Sequence, residues 1–510
     1  MKGIKKAVSP NFSKNISISL INFAFSIFMT LWFTPFIIHQ LGVEAYGYTN
    51  LILNLINIAT VITLAITSMS SRYLTIELQR QRTNEANKYF NSILFSLVVL
   101  SFFLLFIFTI VLFNLEKVIN ISDNFVGDVK ILFFLACISF LVTLISTPFL
   151  GGVYFQNKLS ITYLFNILNY GFRYVLCIVV FYCFKPILWI PNLAILIVTI
   201  MATIYYLMTY KKMMPGISIS ISKFNLSYAL TVIQSGIWIS ISKAGSVLLG
   251  TLNTYFANIF IGPGISGVYA AVLQLQTLII VLVNAIVPSF IPEMYKKFAE
   301  NKMDSLISYV KKAILFLSIP LGVVVGGVLA YGKVFMVLWL GKGFGQYEFM
   351  LVLVIIYLPL ILSAEVLNQF NITINRIKVP ALVTLLFGGI NVLLIFMLFY
   401  LTDWGIYSII IGQLITSTIR GILFYPIYSA KEVGVKISTF YPEIAIGVGV
   451  SILTTIIGLC LRFLINPSSW MQLIFSSLLT LVLVTLIIFT FFINKDIKKT
   501  IKNKVFKLHT

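Results

Sequence analysis

The sequence predicts an all-α membrane protein with about fourteen transmembrane helices, and three observations lead to this prediction. Mean hydropathy is +1.02, and 59% of the 510 residues are hydrophobic whereas only 10% are charged. Apolar runs long enough to cross a hydrocarbon core of about 30 Å recur along the whole chain. Lys and Arg residues alternate between crowded and nearly empty gaps. Such a composition excludes a soluble domain of this length.

The apolar runs define the helices in chain order, and the gaps between them are short. The longest gap expected on the outer side, residues 114–128, is too short to hold an external domain. We number the runs as spans 1 to 14. They cover residues 15–38, 45–69, 89–113, 129–154, 161–183, 187–209, 228–258, 265–290, 312–331, 347–370, 379–401, 405–429, 441–463 and 470–493.

The basic residues predict the orientation of the spans. Of the 36 Lys and Arg residues, 27 lie before span 1, after span 14 or in gaps that follow even-numbered spans. Six lie in the other gaps or at the span ends beside them, and three lie deep inside spans. Because cytoplasmic loops carry such an excess, we expect both termini in the cytoplasm. The net charge of +21 is spread over short loops, which argues against a nucleic-acid partner and favours contact with anionic membrane lipids.

The chain also contains an internal repeat with a shift of 220 residues. The segment LGVEAYG between spans 1 and 2 matches IGPGISG between spans 7 and 8, so that Gly42 meets Gly262 and Gly47 meets Gly267. A charged segment follows the next span in both copies. Because six helices per copy is an even number, both halves keep one orientation, as in transporters with parallel repeats.

This repeat predicts two pseudo-repeated six-helix lobes around a central cavity, followed by a final helix pair. The expected N-terminal lobe is 1–225 with spans 1 to 6, and the expected C-terminal lobe is 226–430 with spans 7 to 12. Spans 13 and 14 occupy 431–493, and 494–510 forms a basic cytoplasmic tail.

Polar side chains recur at helical spacing along spans 1, 2, 7 and 8. Amide groups that faced lipid would stay unpaired, so these faces must contact protein or water. Two interpretations stay open: contacts between helices, and the wall of a water-filled cavity. From these faces we select as candidate substrate-binding residues Asn22, Asn54, Asn57, Gln234 and Asn284.

Three cations lie inside apolar runs: Arg173 in span 5, Lys243 in span 7 and Arg420 in the inner half of span 12. A charge inside the bilayer is costly unless it is paired or hydrated. Only Glu365, in span 10, is a comparably deep carboxylate, so a pairing such as Glu365 with Arg420 would leave two cations over. Pairing with backbone carbonyls and a cationic cavity for an anion both stay open. Arg and Lys suit phosphate groups.

Two further residues have candidate roles. Arg72, at the inner end of span 2, could form the mouth of the cavity or mark topology. Glu365 could carry a coupling proton, or it could serve only to pair a cation. The four cysteines and two histidines form no clustered set, so we expect no cofactor, no metal site and no catalytic residues.

The segment from Leu41 to Gly47, which follows Pro35, resembles the first-loop signature of the MOP transporter superfamily. It is most similar to the polysaccharide transporter branch, the Wzx-type flippases of lipid-linked oligosaccharides. Gly262, Gly267 and Tyr269 resemble the second-half turn of that family, and the segment LWLG at 338–341 resembles its outer segment after span 9.

The resemblance implies alternating access around a cavity lined largely by spans 1, 2, 7 and 8. The implied cargo is an undecaprenyl-pyrophosphate-linked glycan, carried outward across the cytoplasmic membrane of a bacterium for capsule or O-antigen synthesis. Polysaccharide polymerase machinery is a further expected partner. Span 1 lacks the arginines of the related lipid II flippases, and spans 1 and 7 lack the carboxylate of the drug-exporting branch.

Two alternatives stay open beside this transporter. One is a multidrug or organic cation antiporter of the same superfamily, which the positive interior disfavours. The other is a membrane-embedded glycosyltransferase or glycan polymerase. Such an enzyme needs acid–base residues near an outer catalytic loop. The outer carboxylates are scattered over short loops, and they are Glu44, Glu116, Asp123, Asp128, Glu348 and Asp403.

Overall fold

The computed structural model describes residues 10–491, and this part of the chain contains fourteen helical segments long and apolar enough to cross a membrane. The predicted all-α fold class is thereby confirmed. The basic tail predicted at 494–510 lies outside the described residues, as do Lys2, Lys5 and Lys6 at the other end.

Nine of the fourteen spans are uninterrupted helices. In chain order these are span 1, Pro10–Leu41; span 2, Val43–Gln79; span 3, Thr83–Phe113; span 5, Ser160–Cys183; span 6, Ile190–Met213; span 9, Met303–Leu340; span 11, Lys378–Leu401; span 13, Tyr441–Ile465; and span 14, Trp470–Phe491. Several run beyond the predicted limits. Span 2 continues ten residues past 69, because a helix satisfies its own backbone hydrogen bonds outside the apolar region too. Hydropathy reports only the apolar part.

The other five spans are interrupted, which the hydropathy pattern does not predict. Pro148, Pro288 and Pro359 lie at three of the breaks, where each removes a backbone donor. The helical pieces are Val126–Ser146 and Leu150–Phe155 in span 4; Leu226–Ser246 and Leu252–Phe260 in span 7; Pro263–Ile286 and Ile291–Ala299 in span 8; Glu348–Ile355, Leu358–Ser363 and Glu365–Thr373 in span 10; and Ile406–Ile419 and Tyr425–Glu432 in span 12.

Short helical turns lie between the pieces and in the loops. Span 7 and span 12 are joined internally by π-helical segments, Val247–Thr251 and Arg420–Phe424. The remaining turns are Leu115–Val118, Asp123–Phe125, Thr147–Phe149, Ile221–Lys223, Val287–Phe290, Lys342–Tyr347 and Ile437–Phe440.

The internal repeat is visible in the backbone. Four loops of the first half contain a residue with positive φ, and four loops of the second half contain its counterpart at a shift of 220 or 218 residues. The pairs are Gly42 (91°) with Gly262 (117°), Gln81 (58°) with Asn301 (56°), Asn157 (51°) with Asn375 (61°), and Gly216 (83°) with Gly434 (72°). Because non-glycine residues rarely adopt this conformation, four coincidences indicate one loop plan used twice. The arrangement of the lobes and their boundaries stay predictions.

Packing groups the described residues into two compact units. Unit 1 contains the chain up to Ala271 together with Ala381–Ile409. Within it, span 2 packs along span 7, and the two signature glycines meet, since a Cβ on Gly47 would lie 2.6 Å from the Cα of Gly267. Only glycine at both positions permits this approach.

Unit 2 contains Val272–Pro380 together with the chain from Ile410. Its largest helix contact joins span 9 to span 13. Small residues line that contact, because a Cβ on Gly326 would lie 2.6 Å from the Cβ of Thr454 and one on Gly447 would lie 2.6 Å from the Cβ of Ser318. Close packing of this kind replaces the hydrophobic effect, which does not drive helix association in lipid.

Candidate substrate site

Lys243 lies one turn before the π-helical segment of span 7. It is half-buried, and within the described residues its side chain forms no ion pair and no hydrogen bond. No carboxylate of the described residues pairs with it. An ammonium group in an apolar span without a partner is available to water or to an anion.

The helix that bears Lys243 is held against span 11 by Asn391 and Gly388, and we name this contact the Asn391 clamp. A π-helix leaves carbonyl groups short of donors, and here the fully buried amide of Asn391 donates to the carbonyl oxygens of Leu248 at 2.9 Å and Leu249 at 3.4 Å. Gly388 lets the two backbones approach, since a Cβ there would lie 2.7 Å from the carbonyl oxygen of Gly245. The clamp fixes the segment that follows Lys243. Asn391 is not among the residues selected from the sequence.

Arg173 lies in the middle of span 5 among aromatic rings. Its guanidinium carbon is 4.2 Å from the ring centroid of Phe33 in span 1. Its Nε is buried without a hydrogen-bond partner, and no carboxylate of the described residues pairs with it. A cation–π contact compensates only part of the cost of desolvation.

A structural cation in the same protein looks different. Arg462 in span 13 is also half-buried, but its guanidinium donates to Glu348 Oε1 and to the carbonyl oxygen of Ala330, each at 3.0 Å. Lys333 holds the other oxygen of Glu348 at 3.1 Å. Buried charges are normally paired in this way. Arg173 and Lys243 are therefore exceptions within the described residues.

The polar faces of spans 1 and 2 divide into paired and unpaired groups. Asn54 donates to the Thr254 hydroxyl of span 7 at 3.3 Å, which is a contact between helices. The side-chain oxygen of Asn22, Oδ1, is buried without a hydrogen-bond partner among the described residues. The side chain of Asn57 is exposed. The contact between helices is thus present at Asn54, and the cavity interpretation of Asn22 and Asn57 stays a prediction.

Three other selected residues are exposed. Arg72 carries its guanidinium 3.9 Å from the sulfur of Met69 and has no carboxylate partner. Gln234 in span 7 is exposed within unit 1, and Asn284 in span 8 is exposed within unit 2. Exposure in this protein is compatible with lipid, water or substrate as the neighbour, so the role of these three stays a prediction.

Glu365 and Arg420 belong to unit 2, where they interact electrostatically. Glu365 begins the last helical piece of span 10, where the positive end of the helix dipole favours a carboxylate. It accepts a hydrogen bond from Asn368 at 2.8 Å. Arg420 opens the π-helical segment of span 12 with its guanidinium carbon 5.6 Å from the ring centroid of Tyr425. The pairing of these two residues and the coupling role of Glu365 stay predictions.

A large apolar groove runs along one side of unit 1. Its volume is about 1010 Å³, at the upper end of small-molecule sites. Ser240 and Ala244 bring it to the helical turn of Lys243. The other lining residues are Val61, Ile62, Ala65, Ile66, Phe95, Ser96, Val99, Leu100, Phe103, Ile221, Phe224, Leu226, Ile233, Ile237, Ile241 and Leu385. Among residues 10–491 no group of three or more His, Cys, Asp or Glu residues is placed to hold a metal ion.

Solved structures of membrane transporters share this fold. The lipid II flippase MurJ, in an inward closed conformation, aligns with a TM-score of 0.68 over 94% of this chain and 99% of its own, at 13% identity. An inward-facing multidrug resistance transporter of the MATE family, from the MOP superfamily, aligns with a TM-score of 0.65 over 82% of this chain and 98% of its own, at 12% identity. The protein therefore has the fold of MOP-superfamily transporters.

The family follows from the sequence. The profile of the family described as polysaccharide biosynthesis protein matches residues 12–298, more than half of the chain, and the chain belongs to that family. A relative named uncharacterized membrane protein EpsK, from Bacillus subtilis (strain 168), is 28% identical over 467 residues, which are 91% of this chain and 92% of the relative. The predicted membership of the polysaccharide branch of multi-pass membrane transporters is confirmed.

Proposed function

We propose that the protein is a flippase that carries an undecaprenyl-pyrophosphate-linked oligosaccharide from the inner to the outer leaflet of a bacterial cytoplasmic membrane by alternating access. The observation that supports this most is the pair of membrane-embedded cations in unit 1, Arg173 and Lys243, which have no carboxylate partner among the described residues. Uncompensated positive charge at low dielectric attracts an anion and repels a cationic drug. A guanidinium and an ammonium together suit a pyrophosphate.

The lipid part of this cargo has a matching surface. The apolar groove of unit 1 reaches Ala244, the residue next to Lys243. An amphiphile with an anionic head and a long hydrocarbon chain would therefore use both features at once. The family, whose description names polysaccharide biosynthesis, supports a glycan as the remaining part of the cargo.

Charge replacement at Lys243 tests the proposal. In vesicles with reconstituted protein and a fluorescent undecaprenyl-pyrophosphate oligosaccharide, we expect Lys243→Ala and Arg173→Ala to reduce flipping at least tenfold, because each removes a charge that holds the pyrophosphate. Lys243→Arg should keep part of the activity, since the charge persists while the shape changes.

The matched control is Lys117→Ala, which removes an exposed lysine from the short turn Leu115–Val118 and should leave flipping unchanged. Normal flipping by both alanine variants at Lys243 and Arg173 would show that these cations are structural. Export of a cationic dye by the wild type, without flipping of the glycolipid, would instead establish the antiporter.

The membrane potential is the proposed driving force. The cargo is anionic and the cell interior is negative, so outward movement of one charge gains roughly 2.3 kcal/mol per 100 mV. Collapsing the potential at a constant pH gradient should slow flipping, and Glu365→Gln should weaken flipping without abolishing it. If flipping stops only when the pH gradient is removed, proton coupling through Glu365 replaces this account.

A further inference from the structure

Five aromatic residues form a cluster between spans 1 and 5. It contains Trp32, Phe33 and Phe36 from span 1 with Tyr174 and Phe181 from span 5, and we name it the Trp32 cluster. The ring centroids of Trp32 and Tyr174 are 3.5 Å apart, those of Trp32 and Phe36 are 5.4 Å apart, and those of Phe36 and Phe181 are 5.7 Å apart. The two helices thus meet through aromatic rings, which are stacked between Phe36 and Phe181 and tilted at Tyr174.

The cluster surrounds a polar centre that lacks partners. Arg173 precedes Tyr174 in the chain, and its guanidinium rests on the Phe33 ring. The Tyr174 hydroxyl and the Arg173 Nε are both buried without a hydrogen-bond partner. Buried polar groups almost always have a partner, so two neighbouring orphans in one cluster indicate a water or ligand that completes the site.

One ring of the cluster is accessible. Trp32 is 40% exposed in the structure, so its ring is open to contact by lipid, water or a ligand. The combination is therefore an exposed Trp32 ring, a cation on the neighbouring Phe33 ring, and a buried tyrosine hydroxyl without a hydrogen-bond partner. Aromatic surfaces with a few convergent polar groups are typical of small-molecule sites.

A sugar phosphate has the complementary chemistry. The axial C–H groups of a pyranose ring carry partial positive charge and pack on the negative face of an aromatic ring, while its hydroxyls accept and donate hydrogen bonds. In a pyrophosphate-linked glycan the first sugar is joined directly to the phosphate, so a cation and a stacking surface must lie side by side to hold both.

We propose that the Trp32 cluster binds the sugar attached to the pyrophosphate, with Trp32 as the stacking surface, Tyr174 as a hydrogen-bond donor and Arg173 on the phosphate. This inference rests on the proposed function and adds which residues contact the glycan. Stacking tolerates many sugars because most pyranoses present a C–H face, so the site should recognise the presence of a first sugar more than its identity.

Comparing two lipids, one with and one without the first sugar, separates binding of the sugar from binding of the pyrophosphate. Affinities of the full-length protein in nanodiscs are measured for undecaprenyl pyrophosphate and for the same lipid bearing one N-acetylglucosamine. We expect the wild type to bind the sugar-bearing lipid about two- to tenfold more tightly, the range that one aromatic contact provides. Trp32→Ala should remove this preference without changing affinity for the bare lipid, and Trp32→Phe should keep part of it.

Further variants divide the remaining contributions. Tyr174→Phe should reduce the preference for the sugar-bearing lipid. Arg173→Ala should lower the affinity for both lipids by the same factor. Trp470→Ala, at an exposed tryptophan of span 14 in unit 2, is the control and should change neither affinity.

The inference is overturned if the wild type binds both lipids equally, or if Trp32→Ala keeps the preference, in which case Trp32 only packs against lipid. Either result leaves the proposed function intact, because the bare pyrophosphate lipid still binds. Failure of the wild type to bind either lipid would overturn the proposed function and this site together.

Discussion

The cations inside the spans differ in whether the fold supplies partners for their charge. Arg462 is held by Glu348 and by a backbone carbonyl, so its charge is satisfied within the fold. Among the described residues, the Arg173 guanidinium lies on the Phe33 ring, and both its Nε and the neighbouring Tyr174 hydroxyl lack a hydrogen-bond partner. A residue kept in a costly environment without structural compensation is normally kept for function, because the free energy that it costs must be offset by selection for activity.

The two arginines should therefore differ in stability measurements. We expect Arg462→Met to lower the free energy of unfolding by about 1–3 kcal/mol, because it removes the guanidinium that shares the Glu348 carboxylate with Lys333 and donates to the Ala330 carbonyl. Arg173→Met should leave stability unchanged or raise it, because an apolar side chain suits that position better. Thermal unfolding of the purified variants in one detergent measures both. A loss at Arg173 as large as the loss at Arg462 would contradict the functional assignment of Arg173.

At the scale of elements, breaks in the spans lie next to candidate residues within each unit. The π-helical segment of span 7 follows Lys243, the π-helical segment of span 12 begins at Arg420, and a break in span 10 precedes Glu365. Irregular backbone inside a membrane must find partners within the protein or in water. It therefore occurs where neighbouring elements supply donors, as Asn391 does, and such segments are frequently functional.

Loss of the Asn391 amide should destabilise span 7. In Asn391→Leu the Leu248 carbonyl of the π-helical segment loses its donor, and we expect a loss of about 1–3 kcal/mol. Flipping should fall as well, because the segment after Lys243 is no longer fixed. Met397→Leu, on the exposed face of the same helix, is the control for thermal unfolding and for transport. Equal unfolding temperatures for the two variants would show that the clamp contributes nothing.

For the whole molecule, the repeat explains why the second half reuses the loops of the first. Spans 2 and 8 are followed by the same backbone turn at Gln81 and Asn301, and both turns carry basic residues. With an even number of helices between them, we expect the repeated loop and its charge on one side of the membrane.

This arrangement predicts the topology. In a cysteine-free background, a single cysteine at Asp123 should react with an impermeant maleimide added to intact cells, and one at Glu85 should react only after the cells are opened. We expect this labelling because 27 basic residues lie in the predicted cytoplasmic segments and six lie in the predicted outer gaps. Labelling of Glu85 but not Asp123 in intact cells would reverse the orientation.

The sequence by itself determines the number of spans, their approximate limits and the repeat, because hydropathy and glycine spacing are local properties of the chain. It also identifies the embedded cations. Only the tertiary structure decides which polar groups are satisfied. Asn15 and Asn22 belong to the polar face of span 1, and Asn54 belongs to the polar face of span 2. Asn15 donates to the Asn157 carbonyl and accepts from the Ser160 N–H. Asn54 bonds to span 7, whereas the side-chain oxygen of Asn22 has no partner among the described residues. A hydrogen-bond partner comes from residues distant in the chain, so it depends on packing that no local pattern contains.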